Sequence, residues 1–203
     1  MGIKGHTKAV TFLFFVFSSS LIFGQRFYID EKKFYIEILG TEITPFNASN
    51  TTRFKSKTFK TAHVRLKMAT TDGEYALFDI NKFSLIDETN KLRIRPVDVA
   101  HRMAMRRLSF PRLATEPLEK PNPEVSEDIS IMDSFYEYEF DGYEIIETPL
   151  AFGKPFKSQS QVTYFRPGTY RSKKLDFYFL LKKSTSIGVL YYGEEKVAIV
   201  VFK

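Results

Sequence analysis

Several residue types with catalytic or metal-binding chemistry are absent or rare in this sequence. Its 203 residues include no cysteine, no tryptophan, three histidines and ten glycines. The absence of cysteine excludes a thiol nucleophile, a thiolate metal site, a disulfide and a cysteine-linked lipid. A Gly-x-Ser-x-Gly elbow and a glycine-rich phosphate loop are also missing. We therefore expect a protein that is not an enzyme and that has no cofactor and no metal site.

Two imidazoles remain outside the first 24 residues, those of His63 and His101. They stand far apart and do not have the spacing of a metal-ligand pair. His63 alternates with apolar residues and shares its side of the stretch with Arg65 and Lys67. We therefore interpret His63 as a solvated residue on the water-facing side of a strand.

The first 24 residues have the pattern of an export signal. Lys4 and Lys8 precede a largely apolar stretch, residues 9–23, and small residues lead up to Gln25. The apolar stretch is shorter than the roughly 20 residues that a spanning helix needs, so we expect cleavage after Gly24 rather than a retained signal anchor. The mature chain, residues 25–203, would have no transmembrane span and would be periplasmic, cell-surface or secreted.

Period-two alternation dominates the rest of the chain, and a helical period of 3.6 is nearly absent. The clearest hairpin is predicted at Phe83–Asp87 and Leu92–Arg95, which flank a polar turn. Further strands are predicted at Phe34–Leu39, Ala62–Thr70, Tyr75–Ile80, Ser134–Ile146, Gln159–Phe165, Leu175–Leu181, Ile187–Tyr192 and Val197–Phe202. Short strands at this spacing predict an all-β fold, an antiparallel sandwich or barrel, and exclude a parallel α/β fold.

Residues 25–203 are enough for one hydrophobic core, so we expect a single domain. One segment, about 97–130, departs from the strand pattern. Asp98 is placed to cap a short helix that ends near Leu108, and four prolines follow between residues 111 and 123. We interpret this segment as an excursion from the sheets that is short-helical first and irregular from Arg112 to Asp128.

Several of these features together resemble a family of exported bacterial immunoglobulin-like sandwiches, mostly of unknown function and related in fold to a secreted mycobacterial antigen. The features are the strands Phe34–Leu39 and Ala62–Thr70, the phrase Phe83–Asp87 followed by a polar turn and Leu92, the turn Phe165–Gly168, and the strand Leu175–Leu181. The resemblance covers most of residues 27–203, and the excursion departs from it. It implies an immunoglobulin-like β-sandwich that acts as a non-catalytic extracellular module, with no catalytic residues to transfer.

Charge is segregated along the mature chain. Residues 91–113 have a net charge of +6, residues 114–147 of −10, and residues 154–203 of +7. One hypothesis is a patch for an anionic partner, formed by Arg93, Arg95, Arg102, Arg106, Arg107 and Arg112. The alternative, which we favour, is that the basic and acidic segments neutralise each other across adjacent strands.

The best carboxylate cluster is Glu137, Glu139 and Asp141 in the predicted strand Ser134–Ile146. Alternate residues of a strand project to one face about 7 Å apart, which suits a calcium ion or, less well, the carboxylate pair of a glycoside hydrolase. The simpler interpretation, which we favour, is that these acids face water while the intervening aromatic residues face the core.

The sequence thus predicts an exported, non-enzymatic binding or interaction module of the cell envelope or extracellular space. Its partner would be a protein or a glycan, and nucleic acid ranks last because no recognition motif is present. The alternative is a carbohydrate-active protein, either a lectin-like module or a hydrolase that uses the Glu137, Glu139 and Asp141 strand. A structural subunit that docks through the excursion is a third hypothesis.

Overall fold

Two packed β-sheets make up most of the fold. A computed structural model describes residues 24–44, 57–103, 106–109, 112–114, 133–146, 164–165 and 167–203. At residues 102–103, 106–109, 112–114 and 164 it describes the backbone alone. The predicted export segment, up to residue 23, lies outside the described residues.

The described strands follow one another with few other elements between them. They are β1 (Arg26–Ile29), β2 (Phe34–Ile43), β3 (Phe59–Thr70), β4 (Ala76–Phe78), β5 (Phe83–Asp87), β6 (Leu92–Ile94), β7 (Asp98–Met103), β8 (Arg106–Ser109), β9 (Arg112–Ala114), β10 (Glu144–Ile146), β11 (Tyr164–Phe165), β12 (Gly168–Tyr170), β13 (Ser172–Lys182), β14 (Ile187–Tyr192) and β15 (Glu195–Val201). A single-turn 3-10 helix, Ile80–Lys82, lies between β4 and β5.

The first sheet has six strands in the order β1-β2-β3-β13-β7-β8, and the second has five in the order β10-β6-β5-β14-β15. Strands β9 and β11, and strands β4 and β12, form separate two-stranded ladders. All of these pairings are antiparallel except that of β10 with β6. The predicted all-β, antiparallel sandwich is therefore confirmed.

The core lies between the two sheets and follows the predicted alternation. On β3 the inward residues are fully buried, namely Ala62, Val64, Leu66 and Met68. Phe177 on β13 meets Phe83 on β5 with ring centres 4.6 Å apart, so aromatic rings join the two sheets. A large apolar side chain buried in this core, such as Phe177, stabilises the fold by about 1.5–3 kcal/mol because it leaves water.

The predicted hairpin is confirmed as β5 and β6, and buried Asp87 explains its turn. The Asp87 carboxylate accepts hydrogen bonds from the Asn90 backbone N–H at 3.0 Å and from Asn90 Nδ2 at 2.7 Å. The hydroxyl of Thr185 donates to the same carboxylate. The turn after β5 is therefore tied to the turn between β13 and β14.

The predicted helix from Asp98 to Leu108 is wrong, because residues 98–103 and 106–109 are the strands β7 and β8. Val99 pairs with Phe177 at the edge of β13, and β8 then pairs with β7. Helix propensity is a weak preference, and pairing with an open strand edge satisfies the backbone while it buries Val99. The prediction of an irregular chain from Arg112 is also wrong at its start, because Arg112–Ala114 is the strand β9. Part of the predicted excursion is thus sheet, and residues 104–105, 110–111 and 115–132 lie outside the described residues.

The predicted strand Ser134–Ile146 is also largely wrong. Residues 134–138 and 141–142 form turns and bends, and only Glu144–Ile146 is a strand, β10, parallel to β6. Gly142 has a φ of 78°, which turns the chain before β10. The predicted strand Gln159–Phe165 is described only at Tyr164–Phe165, which form β11.

Candidate functional site

A buried cluster of ionisable side chains lies on the outer face of the six-stranded sheet. His63 on β3 is 2% exposed, so the interpretation of this residue as solvated is wrong. Its Nδ1 lies 2.8 Å from Glu42 Oε1, and its Nε2 lies 2.7 Å from Asp176 Oδ1. Its ring also stacks on Tyr178, with ring centres 4.8 Å apart. Alternation placed His63 on the correct face, but side chains of the two adjacent strands contact its ring there.

Register explains why these groups meet. Glu42, His63 and Tyr178 are directly opposite one another on β2, β3 and β13, and Arg65 is opposite Asp176 one row further on. Arg65 Nε donates to Asp176 Oδ1 at 2.8 Å, so this oxygen contacts both Arg65 and His63. Each of the two ring nitrogens of His63 therefore faces a carboxylate oxygen.

The electrostatics of Asp176 follow from these contacts. Burial alone would raise the pKa of the Asp176 carboxyl. Hydrogen bonds from His63 and Arg65 outweigh the burial and hold this pKa below its usual range. The Glu42 side chain is 60% exposed, so the cluster extends from solvent to the buried carboxylate. We name these four residues, Glu42, His63, Arg65 and Asp176, the polar row, although they occupy two adjacent register positions of the sheet.

His101, the second imidazole, lies apart from the polar row. It is half-buried on β7 opposite Leu175, which faces the core. Burial, and then the charge of Lys173, lower the pKa of His101. The two imidazoles therefore have separate environments.

Two of the six arginines of the hypothetical anion-binding patch are buried. Arg95 forms a two-pronged ion pair with Asp133, with distances of 2.5 and 2.9 Å. Arg93 is 2% exposed, its guanidinium lies 4.0 Å from the centre of the Phe135 ring, and it donates to the Tyr138 carbonyl. Burial, and then the charge of Arg95, lower the pKa of Arg93 to about 10. Neither residue contributes to an exposed patch.

The side chains of the other four arginines, Arg102, Arg106, Arg107 and Arg112, lie outside the described residues, so for them the patch stays a prediction. The Arg95–Asp133 pair joins the basic segment to the acidic segment, as the neutralisation hypothesis expects. Aromatic residues of the acidic segment cover the outer face of the five-stranded sheet here. Phe140, for example, meets Tyr191 with ring centres 5.0 Å apart.

The three candidate carboxylates, those of Glu137, Glu139 and Asp141, are exposed on the irregular part of the acidic segment. They do not share the face of one strand, because that strand does not form. Across the described parts of the chain, no three His, Asp or Glu side chains converge as metal ligands do.

Sequence reasoning missed a basic row beside the polar row, in which Arg26 and Lys174 are exposed and Glu37 and Lys67 are half-buried. Arg26 on β1, Glu37 on β2, Lys67 on β3 and Lys174 on β13 are in register across the outer face of the six-stranded sheet. We name these four residues the basic row. Its signal in the sequence is slight, because each residue is one charged position in an alternating strand. Only the pairing of distant strands brings them together.

Two tyrosines flank the basic row. Tyr28 on β1 is opposite Tyr35 on β2, and their ring centres are 6.5 Å apart. The Arg26 guanidinium lies 4.6 Å from the centre of the Tyr35 ring, and Lys67 Nζ lies 5.7 Å from it. Tyr28 is 52% exposed, so one phenol ring is open to solvent beside the cations.

Comparisons with protein-family models, curated proteins and solved structures give no match to this chain. Among the residues that the structure describes, no helix is long and apolar enough to cross a membrane.

Proposed function

We propose that this protein is an exported, non-enzymatic binding module of the cell envelope or extracellular space, built on an immunoglobulin-like β-sandwich. The observation that carries the proposal is the outer face of the six-stranded sheet, where the basic row lies beside the exposed ring of Tyr28. Flat faces with rigid aromatic rings and cations bind ligands without the enclosed cleft that catalysis needs.

The placement of the reactive side chains supports binding over catalysis. His63 is held between two carboxylates and stacked on Tyr178, so both of its ring nitrogens already have partners. Glu137, Glu139 and Asp141 are exposed on an irregular segment. A glycoside hydrolase needs two carboxyl groups about 5–10 Å apart on either side of a bound sugar.

The test uses protein recovered from a bacterial host that expresses the full chain. Mass spectrometry of the exported protein should show an N-terminus at Gln25, and an intact residue 1–24 segment would overturn the export signal. The protein should bind to isolated envelopes or extracellular polysaccharide without releasing reducing ends. Release of reducing ends that is abolished in an E137Q/E139Q variant would overturn the proposal in favour of a hydrolase. Failure to bind any fraction would overturn it as well.

A further inference from the structure

The basic row places two like charges directly opposite each other. Lys67 and Lys174 are directly opposite on the central pair of strands, β3 and β13. Like charges in directly opposite positions destabilise a sheet. Within the described residues, neither lysine forms an ion pair with a carboxylate.

The neighbouring row shows that the same strands also accommodate a complementary pair. Two residues along β3, Arg65 is opposite Asp176 and is ion-paired with it at 2.8 Å. Glu37 lies between Arg26 and Lys67 in register, which leaves the basic row with three cations and one anion. An anionic ligand would supply the counter-charge that the two lysines do not receive from the described residues.

The spacing of the row defines the shape of such a ligand. Adjacent strands are about 4.8 Å apart, so the Lys67 and Lys174 backbones are separated by one such step and those of Arg26 and Lys67 by about 10 Å. The backbones of the three cationic residues therefore form a line across the strands, and the charged groups of Arg26 and Lys67 both lie beside the Tyr35 ring. An extended polymer with repeated negative charges would contact all three if it lay perpendicular to the strands.

We propose that the basic row binds an acidic polysaccharide, with its carboxylates at Arg26, Lys67 and Lys174 and a sugar ring against the exposed phenol of Tyr28. This inference rests on the proposed binding function and names its surface and ligand class. Sugar rings present C–H faces that pack on tyrosine, which explains the phenol beside the cations. A membrane surface fits less well, because aliphatic side chains accompany the cations of a membrane-bound face. The exposed aliphatic residues of the described chain lie elsewhere: Ile145, Ile187, Ile199 and Val201 are on strands of the other sheet, and Leu77 is on β4.

The test measures binding of alginate, a carboxylated polysaccharide, to the exported protein, with neutral dextran as a control ligand. Wild-type protein should bind alginate but not dextran, and added salt should weaken the binding. A K67Q/K174Q variant should lose about tenfold or more in affinity, which is at least 1.4 kcal/mol. The matched K196Q/K203Q variant removes the same charge from exposed positions on β15 and at the C-terminus and should bind as wild type does.

Other outcomes separate the surface from the function. Thermal unfolding should show that K67Q/K174Q is at least as stable as wild type, because the variant removes a repulsive pair. Equal losses of alginate affinity in both double variants would overturn the basic row as the site. A protein that binds envelopes but not alginate would overturn the ligand class. Both outcomes would leave the proposed binding function in place. Equal or tighter binding to anionic lipid vesicles or single-stranded DNA would overturn the assignment to a polysaccharide.

Discussion

Two neighbouring rows on the outer face of one sheet differ in their charge pairing: one places opposite charges across the strands and the other places like charges. In the polar row, Arg65 is opposite Asp176, and both are ion-paired or hydrogen-bonded within the protein. In the basic row, two positions along the same strands, Lys67 is opposite Lys174. The strands, their spacing and their pairing are the same in both rows, so the difference lies in the side chains alone. From this comparison we expect the polar row to stabilise the fold, and we propose the basic row as the place for a ligand.

We expect the largest change in stability when the central carboxylate of the polar row is removed. Replacing Asp176 with Asn should lower the free energy of unfolding by about 3–5 kcal/mol, because His63 and Arg65 lose their shared anion in a buried setting. Denaturant unfolding followed by circular dichroism measures this change. The control is E194Q at an exposed turn, which should stay within about 0.5 kcal/mol of wild type. Similar losses in both variants would contradict the stabilising role of the row.

Lowering the pH should produce the next largest change in the free energy of unfolding. The pKa of Asp176 is lower in the folded state than in the unfolded state, so its stabilisation is present above the unfolded value of about 4 and is lost as the pH falls toward the folded value. Wild type should lose roughly 1–3 kcal/mol more than D176N between about pH 4 and pH 2. Unfolding curves measured at both pH values for both proteins provide the comparison. Parallel losses would show that Asp176 is not the titrating group.

We expect the smallest change in stability from a substitution that gives the basic row a pair of opposite charges. Lys174→Glu should raise the free energy of unfolding by about 0.2–1 kcal/mol, because it places opposite charges across β3 and β13. Salt should reduce this gain, since both positions are close to solvent. K174Q is the matched variant and should give a smaller gain. A destabilised K174E would mean that Lys67 and Lys174 already have an anionic partner in the fold.

Strand positions and the inward face could be predicted because they are local properties of the chain. The inward residues of β3 and the β5–β6 hairpin match the alternation and the polar turn of the sequence. The same rule failed for Tyr136–Asp141, which alternates but is irregular. There the aromatic rings cover the outer face of the five-stranded sheet around Arg93 rather than form part of a strand. Alternation reports which side chains are buried, and more than one backbone shape satisfies it.

The candidate site could be predicted only in part. Arg93 and Arg95 were identified as unusual, but their surroundings were not, since the rings and the carboxylate that cover them come from residues 133–140. His63 was assigned to the correct face and to the wrong environment. The basic row had no local signal, because its four residues are spread over four strands.

The sequence by itself determined an all-β chain with alternating strands, because a two-residue period is set by neighbouring positions. The tertiary structure decided which outward-facing charges have partners. Asp176 meets Arg65 across 111 positions of sequence, and Lys174 meets Lys67 through the same strand pair. Register is set by the packing of both faces over the whole sheet. A shift of a single residue along β13 would move Asp176 and Lys174 to the core side, so the contrast between the rows exists only in the folded protein.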